Sequence, residues 1–247
     1  MKYSNKFRIP FSQTGVTDGI SVIGAAQIVE DSVCAFFASF GKDNFTVSKR
    51  YGAMWVFVRN KFRRYAFAGW NEEISVMSYV TEKTAAKVIV DTQAKNAKGE
   101  TVLSARTELC VIDIAAQRIR RVASVDFPEN IGIYPSVAGF DFTRPETPAL
   151  KENYRFIVPS TSIDLCGHLN NAEYFRFILN ATGAEKEIAR PVSDAEINFV
   201  SQAREGEELT VYCGESAAGE FYELKSGEKT VARCVLSREA INLMEKI

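Results

Sequence analysis

The chain contains a single histidine, His168, and it lies four residues after Asp164 within "VPSTSIDLCGHLNNAEYFRFILNA", residues 158–181. A carboxylate can orient and deprotonate a water molecule, or attack an electrophilic carbon itself. An imidazole, whose reference pKa is about 6.5, can donate a hydrogen bond or a proton near neutral pH. The spacing therefore predicts a reactive pair, and it leaves the two routes for the carboxylate open.

An apolar helical pattern follows the pair and predicts a helix over about 170–181. The unpaired amides and the positive dipole end at a helix start favour an oxyanion. We therefore predict that Gly167, Asn170 and Asn171 contact a substrate, with Gly167 allowing close approach of the backbone because it lacks a Cβ.

Plainer roles exist for the same residues. Asn170 or Asp164 can be a helix cap, a position that favours Asn and Asp. A lone histidine such as His168 is commonly a hydrogen-bonded core residue. Cys166, between the pair, is more often a small packing residue than a nucleophile.

The composition is that of an ordinary globular protein. With 247 residues, 46% apolar and 25% charged, the chain can form one large domain or two of ordinary size. Its apolar runs are too short to span a membrane, and the opening "MKYSNKFRIP" lacks the apolar stretch of a secretory signal. These features predict a cytoplasmic location.

The cysteines and charges exclude several kinds of site. Five cysteines, an odd number without a C-x-x-C pair, argue against a disulfide framework and a zinc site. A net charge of -1 excludes global attraction to nucleic acid. Two local basic clusters, "RNKFRR" at 59–64 and "RIRR" at 118–121, can meet an acidic partner or form a solvated strand face.

The order of predicted elements occurs twice. Each copy begins with an extended segment containing a proline, Pro10 or Pro159, continues with a helical pattern, and ends in a hairpin, "KGETVLSARTELCV" or "SGEKTVARCVLS". The first helix is predicted over about 20–40 and is apolar on most sides, which indicates a helix enclosed by sheet. We predict an α+β fold in which a long helix wrapped by a curved antiparallel sheet is made twice.

The predicted boundaries are residues 1–126 for the first repeat, 127–153 for a linker and 154–247 for the second repeat. The linker contains four of the seven prolines. Aligning Pro10 with Pro159 puts Gly19 opposite His168, so the first copy lacks the acid and imidazole pair.

Residues 164–174, "DLCGHLNNAEY", resemble the D-x-N-x-H-V-N-N-x-x-Y motif of the acyl-acyl carrier protein thioesterases of bacteria and plant plastids, a tandem hot-dog family. The segments "GAMWVFVRNKFRRYAFAGWNEEISVMSYV" and "ELCVIDIAAQRIRRV" resemble parts of its first half. The resemblance thus covers nearly the whole chain. Two positions depart from it: Cys166 replaces an asparagine, and the family's Glu-Cys pair corresponds to Gln202 and Ala203.

The resemblance implies hydrolysis of acyl-acyl carrier protein to free fatty acid, without metal or cofactor. Asp164 and His168 would be catalytic, with Cys166 and Gln202 in catalytic positions; Gln202 can position water but cannot take its proton. The first half would supply the acyl pocket, including Met54 and Trp55.

Acyl carrier protein is acidic, so the basic clusters are predicted to dock it. Their members are Arg59, Lys61, Arg63, Arg64, Arg118, Arg120 and Arg121. A homodimer is also possible. Two alternatives remain open, an acyl-CoA thioesterase and a hot-dog protein that binds acyl chains without turnover.

Overall fold

The structure is a computed structural model that describes residues 1–17, 19–65 and 68–238. The predicted second repeat ends at 247, so its last nine residues, 239–247, lie outside the described part. The elements of the first half are β1 (Lys2–Arg8), α1 (Val22–Ala38), α2 (Asn44–Tyr51), β2 (Ala53–Arg64), β3 (Glu73–Lys83), β4 (Lys87–Lys95), β5 (Thr101–Asp113) and β6 (Ile119–Arg120). Those of the second half are β7 (Lys151–Ile157), α3 (Asn171–Asn180), α4 (Ala184–Ala189), β8 (Asp194–Phe199), β9 (Glu208–Ser216), β10 (Gly219–Ser226) and β11 (Lys229–Ser237).

The strands form one antiparallel sheet in the order β1-β3-β4-β5-β2-β8-β11-β10-β9-β7, with β6 added beside β5. Both predicted hairpins are present, as β4–β5 and β10–β11. The two halves join where Arg59–Arg63 of β2 pairs with residues 194–198 of β8. The sheet is therefore continuous across the predicted halves.

Helix α1 begins where Ser21 caps it by accepting a hydrogen bond from the Gly24 amide at 2.9 Å. It is two residues shorter at each end than the predicted 20–40. Side chains such as Val29 and Phe36 are fully buried, and α1 contacts β1, β2, β3, β4 and α3. This burial on many sides explains why its sequence is apolar around most of the helix.

Helix α3 agrees with the predicted 170–181 to within one residue at each end. Its buried side chains include Phe175, whose ring lies 5.4 Å from that of Phe62 on β2, centroid to centroid. Both rings belong to a core cluster that contains residues of both halves. The helix that directly follows Asp164 and His168 is thus packed against the first half of the chain.

The connector between the halves has no helix or strand from residue 127 to 150. The predicted linker, 127–153, overlaps β7 by three residues, 151–153. Although irregular, the connector is held to the sheet: the Thr143 amide donates to Glu196 Oε1 at 2.7 Å, and Arg106 lies 3.1 Å from Asp141. No helix among the described residues has both the length and the apolarity needed to cross a membrane.

Candidate active site

The loop before α3 folds back on itself and brings Asp164 next to His168. The Asp164 amide donates to the His168 carbonyl at 2.8 Å, and the Gly167 amide donates to the Asp164 carbonyl at 3.0 Å. Gly167 has φ +77°, a conformation that side chains with a Cβ rarely adopt. The equivalent loop of the first half has the same closure, from the Gly15 amide to the Gly19 carbonyl at 2.8 Å. That loop has glycines where the second has Asp164 and His168.

The Asp164 carboxylate is oriented by its own loop. Its Oδ1 accepts hydrogen bonds from the Cys166 amide at 2.8 Å and from the His168 amide at 3.4 Å. These two amide donors fix the direction in which the carboxylate points. Asp164 is not the cap of α3, because that cap is Asn170.

A cleft of about 670 Å³ opens beyond the end of the β2–β8 pairing, and we call it the central cleft. Residues 54–58 of β2 and residues 199–202, which begin at the last residue of β8, contribute to its walls. The predicted site residues that line it are Asp164, Cys166, His168, Asn171, Gln202, Met54 and Trp55. Residues from both halves of the chain therefore surround one space.

A second cleft, of about 1040 Å³, borders the same loop, and we call it the acidic cleft. Its acidic wall residues are Glu30, Asp31, Asp43, Asp164 and Glu173. The walls shared by the two clefts are formed by Glu30, Cys34, Asn44, Asp164 and Cys166. Asp164 thus lies between the two clefts.

His168 is only partly buried and faces the central cleft, which differs from a buried core histidine. Burial lowers the pKa of His168, and the nearby positive charge of Arg204 lowers it further. Asp164 and Glu207 act in the opposite direction on this pKa. The net effect favours a neutral imidazole at neutral pH, which can donate one hydrogen bond.

The backbone amides of residues 167–170, just before α3, are not free to bind an oxyanion, contrary to the prediction for these positions. The amides of residues 167–170 are occupied by acceptors within the chain: Gly167 to the Asp164 carbonyl, His168 to Asp164 Oδ1, Leu169 to the Ala203 carbonyl and Asn170 to the Ser162 carbonyl. The cause is the backfolded loop, which uses these donors to close itself.

Gly167 and Asn170 also differ from their predicted roles. Among the described residues, neither is in the wall of the central cleft; Asn170 lines the acidic cleft. No atom lies within 4 Å of a Cβ placed on Gly167, so this glycine serves the turn rather than close contact. The Asn170 side chain accepts from the Ala172 amide at 2.9 Å, as an N-cap.

Cys166 and Gln202 line the central cleft, but neither has the chemistry of a base. Burial raises the pKa of the Cys166 thiol, and the negative charges of Asp164 and Glu30 raise it further. A thiol with a raised pKa is a poor nucleophile. Gln202 presents a carboxamide, which has no proton-accepting form at neutral pH.

Trp55 and Met54 contribute differently to the wall. The Trp55 ring packs against Phe37 and Phe127, with centroids at 4.9 and 5.4 Å, and is 4% exposed. Asn44 holds the Trp55 backbone, accepting from its amide at 2.7 Å and donating to its carbonyl at 3.1 Å. Met54, the residue before Trp55 on β2, is less buried than Trp55. Its side chain can therefore be changed with less damage to the core.

The basic cluster at 59–64 does not form a free docking face. Lys61 lies 3.0 Å from Glu196 and donates to the Asp141 carbonyl at 2.8 Å, while Arg63 pairs with Asp194. The guanidinium of Arg59 stacks over Phe142 of the connector. The connector and the acids of β8 therefore occupy this cluster, and the prediction for it needs correction.

Arg64 is the clearest correction within the cluster, because it is 5% exposed. It donates to the Ile20 carbonyl at 2.7 Å, to the Val192 carbonyl at 2.9 Å and to Glu187 at 3.1 Å. A buried guanidinium held in this way cannot meet a partner.

The second cluster is more open. Arg118 and Arg121 are exposed, whereas Arg120 donates to the Tyr51 carbonyl at 2.8 Å. The residues on either side of Arg118, Gln117 and Ile119, line the central cleft. Arg118 is therefore at the edge of the candidate site.

Several residues of the central cleft were not predicted from sequence: Glu30, Tyr174, Arg204, Glu207 and Lys229. Tyr174 belongs to the motif that follows His168, so the resemblance contained a signal for it. Glu30 is an acidic residue in a largely apolar helix of the other half, next to Asp31, and no local pattern links it to Asp164. Among the described residues, acidic, cysteine and histidine side chains form no cluster that could hold a metal ion.

Comparison with known proteins agrees with this architecture. Residues 146–236 match the family of the acyl-ACP thioesterase C-terminal domain. No curated protein matches the sequence.

Two solved structures are similar over almost their full length. An acyl-ACP thioesterase from Bacteroides thetaiotaomicron is 17% identical, with a TM-score of 0.86, covering 96% of this chain and 98% of that one. A 12:0-ACP thioesterase from Umbellularia californica is 12% identical, with a TM-score of 0.78 and the same coverages. Residues 146–236 are therefore similar to the C-terminal domain of acyl-ACP thioesterases, and the chain has the fold of these solved structures over nearly its whole length.

Proposed function

We propose that the protein hydrolyses the thioester of an acyl-acyl carrier protein and releases free fatty acid and the carrier protein. The observation that carries this proposal is the position of Asp164 and His168 in one cleft, on the domain that matches the family. The cleft also has apolar walls, including Met54, Val56 and Phe199, that suit a hydrocarbon chain.

The carboxylate and the imidazole divide the reaction between them. Asp164, held by two amides, either deprotonates a water molecule or attacks the thioester carbon itself. The neutral His168 donates a hydrogen bond to the carbonyl oxygen as negative charge develops on it. The sequence-based alternative, in which His168 protonates the sulfur, is less favoured because the pKa of His168 is lowered.

We interpret the fold as two hot-dog repeats, 1–126 and 154–247, joined by the linker 127–153. The repeated element order supports this division, since each half has a strand, two helices and four long strands. In this interpretation, the first half of the sheet wraps around α1 and the second half wraps around α3. The first repeat supplies acyl-pocket residues such as Met54 and Trp55, and the second supplies Asp164 and His168.

Carrier docking is assigned to the edge of the central cleft. Arg118 is exposed beside it, and Arg204 and Lys229 belong to its walls. Positive charge at this place attracts an acidic carrier protein and orients its thioester arm. Arg121 is a further candidate because it is exposed. A cytoplasmic location and a homodimer stay predictions.

A hydrolysis assay on a series of acyl chains attached to acyl carrier protein tests the proposal. Asp164→Asn is expected to lower kcat by at least about 10²-fold, because removal of a proton-transfer group typically costs that much. His168→Ala should give a large loss as well. Glu215→Gln, an exposed carboxylate change on β9, is the control and should retain full activity.

The outcome also separates the alternatives. Equal rates on acyl-CoA and acyl-acyl carrier protein would favour the CoA-dependent enzyme. A wild-type protein that binds the acyl carrier protein but shows no turnover would favour the non-catalytic binder.

A further inference from the structure

Glu30 is an acidic residue of the first half that reaches the candidate site of the second half. It lies on α1, and the Asn171 Nδ2 donates to its Oε1 at 2.8 Å. Glu30 shares the walls of both clefts with Asp164. Asn171 at the start of α3 thus holds a carboxyl group from another helix in the cleft walls that also contain Asp164.

The surroundings of Glu30 favour its protonated form. Burial raises the pKa of Glu30 to about 7, with further contributions from the negative charges of Asp164 and Asp31. The hydrogen bond from Asn171 acts in the opposite direction. The titratable and charged groups in the walls of the two clefts are Asp31 and Cys34 on α1, Asp43 before α2, Cys110 on β5, Asp164, Cys166 and His168 before α3, Glu173 and Tyr174 on α3, and Arg204, Glu207 and Lys229 farther along the central cleft.

The reaction needs a proton that its other central groups do not readily supply. When the C–S bond breaks, the electron pair passes to sulfur, and an alkyl thiolate leaves more easily if it is protonated. His168 is biased toward the neutral form, the Cys166 thiol has a raised pKa, and Gln202 has no acidic proton. Glu30 is a group of suitable chemistry in the same cleft wall.

We propose that Glu30 is a catalytic acid that protonates the leaving sulfur of the thioester. This role rests on the proposed thioester hydrolysis. The position of Glu30 in the wall shared by both clefts, next to Asp164 and held by Asn171, supports it.

The step balances without any further reactant. In the general-base route, Asp164 takes a proton from water as the water oxygen bonds to the carbonyl carbon. The tetrahedral intermediate collapses, the C–S bond breaks, and the neutral Glu30 carboxyl gives its proton to sulfur. Asp164 then holds the water proton and Glu30 is ionised, so transfer of that proton from Asp164 to Glu30, directly or through water, restores both groups.

Substrates with different leaving groups distinguish a role of Glu30 as a proton donor from a purely structural role. Glu30→Gln keeps the size and an acceptor for Asn171 but has no proton to give. On an alkyl thioester such as acyl-pantetheine, its kcat should fall by about 10²-fold or more. On an aryl thioester, whose thiolate leaves without protonation, kcat should fall by less than about tenfold, because general-acid assistance matters little for a good leaving group. Equal losses on both substrates would overturn the proposal, as would no loss on either.

A pH profile gives a second readout. An acid acts only while it is protonated, so the wild-type kcat on the alkyl thioester should decline above about pH 7, and this decline should be absent in Glu30→Gln. Glu30→Asp retains a carboxyl group and should retain the decline at a reduced rate. A decline that persists unchanged in Glu30→Gln would contradict the assignment.

The control is Glu215→Gln, which makes the same substitution at an exposed carboxylate on β9, away from both clefts, and should show neither effect. The two proposals fail in different ways. Hydrolysis that survives Asp164→Asn undiminished would remove the proposed function itself. Hydrolysis that requires Asp164 but is unaffected by Glu30→Gln on either substrate would remove only the role of Glu30.

Discussion

Asn170 and Asn171 are adjacent in the chain, yet they make different contacts. Asn170 caps α3, and Asn171 donates to Glu30 on α1. The same short segment therefore starts a helix and fixes a carboxyl group from the other half. At the scale of single residues, the site depends on hydrogen bonds whose partners are far apart in sequence.

Glu30 should also affect stability in a pH-dependent way. Its folded-state pKa of about 7 is above the ordinary glutamate value of 4.5, so the unfolded state loses this proton at lower pH than the folded state. Ionisation of Glu30 therefore costs folding stability progressively as the pH rises from about 4.5 to above 7. We expect Glu30→Gln to have a higher Tm than wild type at pH 8 and a similar Tm near pH 4, measured by thermal denaturation. A Tm difference that does not change with pH would contradict this.

At the scale of elements, the loops before α1 and α3 are built alike but carry different residues. Both close by a hydrogen bond at 2.8 Å, from the Gly15 amide in one and from the Asp164 amide in the other. The loop scaffold thus tolerates glycine or reactive side chains. The position of α1 depends on a close approach, because a Cβ on Gly24 would lie 2.3 Å from the Gln13 carbonyl oxygen.

Gly24→Ala is expected to destabilise the protein by about 1–3 kcal/mol, the usual cost of forcing an extra carbon into a packed site. The clash is with backbone, which cannot rotate away as a side chain can. Urea denaturation measures the change. Asp31→Ala, exposed on the same helix, should alter the free energy of unfolding by less than about 0.5 kcal/mol. If both variants changed the free energy of unfolding equally, the close contact between Gly24 and the Gln13 carbonyl would not limit stability.

At the scale of the whole molecule, one sheet and a shared core join the two halves. Pairing of β2 with β8 covers only part of β2, and the central cleft opens beyond it. The same pairing brings the acids of β8 against the basic side chains of β2, including Lys61 and Glu196. The junction therefore determines both where the cleft lies and which basic residues remain free.

Substitutions at Arg64 and Arg118 should distinguish a role in stability from a role in docking the carrier protein. Arg64→Ala removes a buried guanidinium that joins Ile20, Val192 and Glu187, and it should cost about 3–5 kcal/mol, as broken buried ion pairs do. Arg118→Ala should leave the free energy of unfolding within about 0.5 kcal/mol. It should raise KM for the acyl-acyl carrier protein and not for a small thioester. The measurements are urea denaturation and steady-state kinetics on both substrates, and equal KM changes on the two would exclude docking at Arg118.

Much of the local structure could be predicted from sequence because it depends on near neighbours. The period of apolar residues located α1 and α3 to within two residues, and the turn residues located the hairpins β4–β5 and β10–β11. Asp164 and His168 are close because one short loop carries both. Amides that the loop uses for its own closure could not be identified from the residue types alone.

The sequence by itself thus determined the helices α1 and α3, the hairpins β4–β5 and β10–β11, the closeness of Asp164 and His168 within one loop, and the family resemblance. Only the tertiary structure decided that Glu30 meets Asn171, that Arg64 is buried and that Met54 lines the same cleft as His168. These contacts join residues widely separated in the chain, and they follow from the register of β2 with β8 and the packing of α1 against α3. Local propensity carries no information about such distances, because it reflects the conformation of a segment and not which segments meet.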